Sequence, residues 1–326
     1  MRVAYIYNPF QILIVAGLIE QGTHFQRIVI PQKLEQLVKN LIKRDNIEFV
    51  YLRDAFVSEG IFKKLFAIFE NLYFYKKLIA NELFVANDQS ILFLAALKFA
   101  DIGSVTLIDE GALEQLIIRE RLSSARLIEK LKWFLLGRHM RGMHPKITNI
   151  IVNDPQRPIW EEFRVNKKIS HSTPLVKIAL DCLFASQTKT SFNNAVILAT
   201  SPLTENKNSS FADQELSMIS DLLENNSTKN FILKMHYREH PKKYKKIIDK
   251  YKNISLMNSP FNELPLQLLF SEIDKLIGFH SSVVTQFGTM FPGKAFSLSG
   301  MVESSHSKRF VLTKPNGVNF IASYKI

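Results

Sequence analysis

Six short stretches gather the side chains from which proton transfer and anion binding are built, and each follows an apolar run that reads as a β-strand. They are Asn8-Pro9-Phe10-Gln11, Asn87-Asp88, Asp109-Glu110-Gly111, Ser201-Pro202-Leu203-Thr204, His236-Tyr237-Arg238-Glu239-His240-Pro241 and His280-Ser281-Ser282. Carboxylates and imidazoles placed within reach of a substrate move protons. Hydroxyls and helix-terminal amides hold anions. Each stretch also has a plain structural reading: Asp109 can cap a helix, the His236 stretch can be a solvated basic turn, and Ser281 can open the helix that follows it. Six such turns on one expected edge argue for a site.

The elements that must position them alternate. Strand-like runs Val3–Tyr7, Arg27–Ile30, Glu48–Leu52, Glu82–Ala86, Ser104–Ile108 and Asn149–Val152 are separated by helical patterns near Gln11–Glu20, Lys33–Ile42, Ser90–Phe99 and Ala125–Leu136. This is the rhythm of βαβ units in a parallel sheet. A polar stretch, Ser186–Asn194, interrupts it, and a second α/β series follows: strands Ala195–Thr200, Phe231–Met235, Ile254–Met257 and Lys275–Gly278, with helices over Asp213–Glu224, Lys243–Tyr251 and Pro265–Phe270. The expected architecture is therefore α/β, with two Rossmann-like doubly wound domains, 1–188 and 189–326, facing each other across a cleft. Ligands of such sheets bind outside the carboxyl ends of the strands, where the six turns lie.

Composition narrows the class. A chain of 326 residues suits two domains, and 46% hydrophobic with 22% charged residues describes a folded globular protein. The single cysteine, Cys182, excludes an intramolecular disulfide and a cysteine-based zinc site, which fits a reducing, cytoplasmic compartment. No run reaches the ~18 apolar residues of a membrane span. The net charge of +12 favours anionic partners. No nucleic-acid module accompanies it. Helical spacing of Phe62, Leu65, Phe66, Phe69, Leu72 and Tyr73 beside Lys63, Lys64, Lys76 and Lys77 offers a peripheral contact with the inner membrane face, or equally a core helix with a solvated lysine edge.

The order of these motifs resembles the bacterial GT-B sialyltransferases of the lipooligosaccharide and capsular polysialyltransferase type, glycosyltransferase family 52. That group shares an acidic-acidic-glycine turn, a Lys-x-His-Pro strand end and a serine pair; here the first is Asp109-Glu110-Gly111 and the last Ser281-Ser282. Pro9-Phe10-Gln11 after the opening strand is also similar to the start of those chains. The histidine motif departs from the pattern. His236 follows Lys234-Met235 and leads into Arg238-Glu239 as the family frame requires, but Tyr237 replaces the proline; His240-Pro241 and His144-Pro145 keep the dipeptide in other positions.

What the resemblance implies is a metal-independent, inverting transfer of sialic acid from CMP-sialic acid to a galactose-terminated bacterial surface glycan. Asp109 would take the acceptor proton, with Glu110 as an orienting or substitute carboxylate and Gly111 completing the turn. His236, Ser281 and Ser282 would receive the departing phosphate, with His240 in reserve and His280 beside the pair. Glu263 would hold the ribose hydroxyls, although an acidic residue in a first helical turn needs no ligand to explain it. Ser201 and Thr204 would touch donor phosphate or sugar, and Asn8 and Gln11 would lie at the first turn. The resemblance also admits a homodimer. No cofactor and no metal are expected: Asp-x-Asp is missing from the sequence, and although His236 and His240 stand four apart, the preceding strand and Pro241 argue against the helix that would bring them to one face. The alternative keeps the fold and changes the donor to another nucleotide sugar, such as a UDP-hexose.

Overall fold

A computed structural model describes all residues except 36–37, 40–41, 43, 45, 53–69, 71–72, 75, 87–92, 95–96, 99, 110–116, 118–140, 185–191, 193–194, 201–208, 237–238, 259–264, 280, 303–310, 312–314 and 326. The chain divides into two compact units, Met1–Ser186 and Gln187–Ile326. Each carries one sheet whose described pairings are all parallel.

In the first unit the strands are β1 (Arg2–Tyr5), β2 (Arg27–Pro31), β3 (Glu48–Leu52), β4 (Ile79–Val85), β5 (Asp101–Ile108), β6 (Ile147–Val152) and β7 (Lys168–His171), in the order β3-β2-β1-β4-β5-β6-β7. The winding reverses between β1 and β4. In a doubly wound sheet that reversal opens the ligand crevice at the carboxyl edge. One face carries the core of Val3, Tyr5, Leu83, Val85, Val105, Leu107, Ile150 and Val152, closed by Trp160 and Phe163.

Helix α1 (Pro9–Glu20) is apolar nearly all round, and Phe10 to Gly17 are buried. A helix of that kind needs partners on more than one side. One of them is α2 (Ser172–Phe184), which packs along it so closely that a Cβ on Gly17 would stand 2.1 Å from the carbonyl oxygen of Leu175. Glycine is the residue that permits this backbone contact. Neither β7 nor α2 is anticipated by the sequence reading. Lys-Ile-Ser-His is too short and polar for a period-two pattern, although Ser172-Thr173-Pro174 before an apolar run is a helix-start signal.

The second unit repeats the plan with β8 (Ala195–Ala199), β9 (Asn230–Lys234), β10 (Ile254–Leu256), β11 (Lys275–Gly278), β12 (Ala295–Ser297) and β13 (Val318–Phe320), ordered β10-β9-β8-β11-β12-β13. Its switch point lies between β8 and β11. Around the sheet run α3 (Ser209–Asn225), α4 (Lys245–Lys250) and α5 (Ser282–Met290). The segment expected as an α-helix over Pro265–Phe270 is instead a 3-10 helix, Leu266–Glu272, and the helix expected from Lys243 opens as a 3-10 turn, Pro241–Tyr244, before α4. Proline at the start of each favours a tight first turn. Strands β12 and β13, three residues each and each carrying a polar residue, escape the sequence reading, whereas β10, equally short, is read from the run Ile254–Met257. Most of the lysine-edged stretch 61–80 falls outside the described residues, and among the described residues no helix is long and apolar enough to cross a membrane.

Candidate functional site

At the carboxyl edge of the first sheet, Asp109 directly follows β5. Its amide donates to the Ile151 carbonyl at 2.7 Å, which carries the β5–β6 ladder one residue past the strand. Side chains alternate across a sheet, so Asp109 shares the face of Val105 and Leu107, and its residue is only 4% exposed. Glu110 and Gly111 lie outside the described residues. At the end of β1, Asn8 caps α1: its Oδ1 accepts from the Gln11 amide at 3.1 Å, while the buried Gln11 returns its Oε1 to the Tyr7 amide at 2.6 Å. This reciprocal pair explains both residue types through the helix start alone.

Farther along the same edge, His171 ends β7. Burial holds its imidazole below the ordinary histidine range, against the opposing pull of the Asn153 backbone and Asp154, while Lys177 adds to the lowering. Its Nε2 is buried and, among the described residues, finds no hydrogen-bond partner. His144 stands at the opposite, amino end of β6, where its Nδ1 accepts from the Lys146 amide at 3.1 Å and its carbonyl from Lys167 at 3.2 Å.

The second unit carries the denser arrangement. Lys234 ends β9, and His236 lies two residues on, half-buried, beside the end of β8. Its amide donates both to Thr200 Oγ1 at 3.0 Å and to Glu239 Oε2 at 3.1 Å, and the Thr200 hydroxyl donates to that same Oε2. The other oxygen of Glu239 accepts from Lys243 Nζ at 2.6 Å and from the Tyr244 hydroxyl at 2.9 Å. Lys243 also reaches Glu215 Oε2, on α3, at 2.6 Å, and both carboxylate side chains are fully buried. Burial, reinforced by Glu215 and Glu239, pushes the Tyr244 phenol far above its usual value, so it remains a neutral donor.

His240, by contrast, is exposed and caps the 3-10 turn, its Nδ1 accepting from the Lys242 amide at 3.2 Å. Ser281 occupies the N-cap of α5 after β11, its Oγ accepting from the Val283 amide at 3.3 Å, and Ser282 is the first residue of that helix. Behind them Ser297 Oγ, at the end of β12, donates to the Phe279 carbonyl at 3.2 Å. Ser201, Thr204, Glu263 and His280 fall outside the described residues. Thus His236 and Ser281 sit on strand ends on either side of β8, and Asp109, Asn8 and Gln11 share the edge of the first sheet. Thr200, Glu215, Lys243 and Tyr244 are additions that the sequence reading missed. A lone glutamate inside a basic, histidine-rich turn was the one signal of that network. Among the described residues, no cluster of three or more His, Cys, Asp or Glu could hold a metal ion.

No protein-family model matches the sequence, and no curated protein matches it. Solved structures do match in fold. The UDP-GlcNAc 2-epimerase from Methanocaldococcus jannaschii aligns with 100% of this chain and 89% of its own at a TM-score of 0.57 and 12% identity. The UDP-GlcNAc 2-epimerase from Neisseria meningitidis bound to UDP-GlcNAc aligns with 100% of this chain and 88% of its own, at a TM-score of 0.56 and 13% identity. A third, the S. aureus MnaA–UDP co-structure, covers 96% of this chain and 86% of its own, at 0.51 and 9%. The fold is GT-B, built from two parallel-sheet, Rossmann-like α/β units.

Proposed function

We propose that this chain is a glycosyltransferase that moves a sugar from a nucleotide-activated donor to a hydroxyl of a glycan acceptor, with a UDP-hexose as the first choice of donor. The observation that carries the reading is the placement of reactive side chains on the carboxyl edges of two GT-B sheets: Asp109 after β5, and His236 and Ser281 on strand ends flanking β8. A fold shared at this distance does not by itself define a reaction. The chemistry of the edges does the selecting.

In this reading the acceptor oxygen bonds to the anomeric carbon as the bond from that carbon to the donor phosphate breaks, the electron pair leaving with the phosphate. Asp109 takes the acceptor proton, with Glu110 as its neighbouring carboxylate. His236, Ser281 and Ser282 meet the charge that grows on the phosphate, where an imidazole and the amides at the start of α5 are suited to an anion. Glu263 takes the ribose, and Ser201 and Thr204 the donor sugar or phosphate. Charge is neutralised by these side chains, so no metal is required. The +12 net charge draws an anionic donor and favours an anionic surface as a docking place.

UDP is favoured as the nucleotide because the proteins of like fold bear UDP-GlcNAc or UDP in their names. CMP-sialic acid is the second reading, supported by the order of the acidic turn, the histidine and the serine pair. Incubating the protein with UDP-GlcNAc, UDP-glucose or CMP-sialic acid, each with and without a lactoside and with EDTA present, separates the outcomes. Release of UDP with an extended lactoside is expected. Release of CMP with a sialylated product replaces the first donor by the second. Conversion of UDP-GlcNAc to its C2 epimer without any acceptor sinks the transferase reading.

A further inference from the structure

Every lone-pair site of the Glu239 carboxylate is taken, two donors on each oxygen, the donors come from three places in the chain, and a fourth is tied in through one of them. Thr200 follows β8, His236 follows β9, Lys243 and Tyr244 belong to the 3-10 turn, and Lys243 ties in Glu215 from α3. A carboxylate with its full complement of donors is held in one orientation. Buried networks of this kind are rigid when fully satisfied. This one is far more than the 236–240 turn needs merely to stay folded, since the turn already has the His236 carbonyl accepting from the Glu239 amide at 2.9 Å and the cap made by His240.

What the network does beyond closing the turn is fix one backbone amide. The His236 N–H is shared between Thr200 Oγ1 and Glu239 Oε2, so the Cα of His236 is pinned to the end of β8, the strand beside the switch point. We infer that Glu239, acting through Thr200, is the positioning residue of the nucleotide site: it sets where His236 presents its imidazole at the carboxyl edge. In this role neither side chain needs to touch the ligand. That His236 meets a nucleotide phosphate rests on the proposed function; that Glu239 and Thr200 determine its placement does not.

Removing Glu239 outright endangers folding, because it would leave Lys243 buried with one partner fewer, so the test uses Thr200. Thr200→Val keeps the shape and deletes the hydroxyl, whereas Thr200→Ser restores it. In Thr200→Val, hydrogen exchange at the His236 amide should accelerate at least tenfold relative to neighbouring β9 amides, and Thr200→Ser should return it to the wild-type rate. Nucleotide affinity, measured with UDP and CMP, should fall by on the order of 10- to 100-fold, by analogy with the loss of the partner that orients a metal-ligating histidine. In a His236→Ala background the same Thr200→Val change should cost no further affinity, because its effect passes through the imidazole.

Unchanged His236 exchange in Thr200→Val overturns the inference, and so does an affinity loss that adds fully to that of His236→Ala. Should the wild type bind neither nucleotide, the proposed function fails on that result. The positioning role is then decided by the exchange rates and their restoration in Thr200→Ser.

Discussion

Under the proposed function, truncating Asp109 to alanine takes away the proton acceptor and nothing assigned to the donor, while truncating His236 takes away a group assigned to the phosphate. Asp109→Ala should therefore lower turnover by roughly 10²- to 10⁴-fold, the usual worth of a general base, with the nucleotide Kd unchanged. His236→Ala should raise that Kd as well. Measuring both constants for both variants checks the assignment, and swapped signatures would reverse it. His240→Ala is expected to be the mild one, because its Nδ1 is spent on the Lys242 amide at an exposed turn. These positions were legible because strand ends can be located from sequence. The partners of His236 were not. Glu239 draws donors from Thr200, 39 positions earlier, and shares Lys243 with Glu215, 28 positions from it, and no local pattern encodes such distances.

At the scale of elements, the contact of α1 with α2 is sensitive to a small change. Gly17→Ala would put a methyl group 2.1 Å from a backbone oxygen, and a backbone cannot step aside as a side-chain tip can. The helices must separate, and the apolar residues beneath them lose packing. A destabilisation of at least ~1–3 kcal/mol is expected, read from chemical denaturation. Retained stability would mean that the helices lie farther apart. Central strands such as Ala-Val-Ile-Leu-Ala in β8 were readable because both faces are buried, which leaves a continuous apolar run. Edge strands divided: β3 and β10 were read, whereas Lys-Ile-Ser-His in β7 and Val-Asn-Phe in β13 are too short and too interrupted by polar residues for a period to show. The extent of β4 was underestimated for a related reason. Its first residue, Ile79, is 61% exposed and is followed by Asn81 and Glu82, so the start of the strand carries little hydrophobic signal.

For the molecule as a whole, the two units each own a core and a complete sheet. Heating should accordingly give a calorimetric enthalpy larger than the van't Hoff value, the mark of unfolding in more than one step. A nucleotide held only by the second unit raises the temperature of one step by mass action and leaves the other in place. A single transition that moves as a whole would argue that the units unfold as one. The join of α1 to α2 has a further consequence, for synthesis. The carbonyl against which Gly17 rests belongs to Leu175, which leaves the ribosome long after the first helix. At ~5–20 residues per second that interval is roughly ten to thirty seconds. Throughout it a helix of almost unbroken apolar character waits without its mate, so the nascent first unit is a natural client for a chaperone until its last helix arrives.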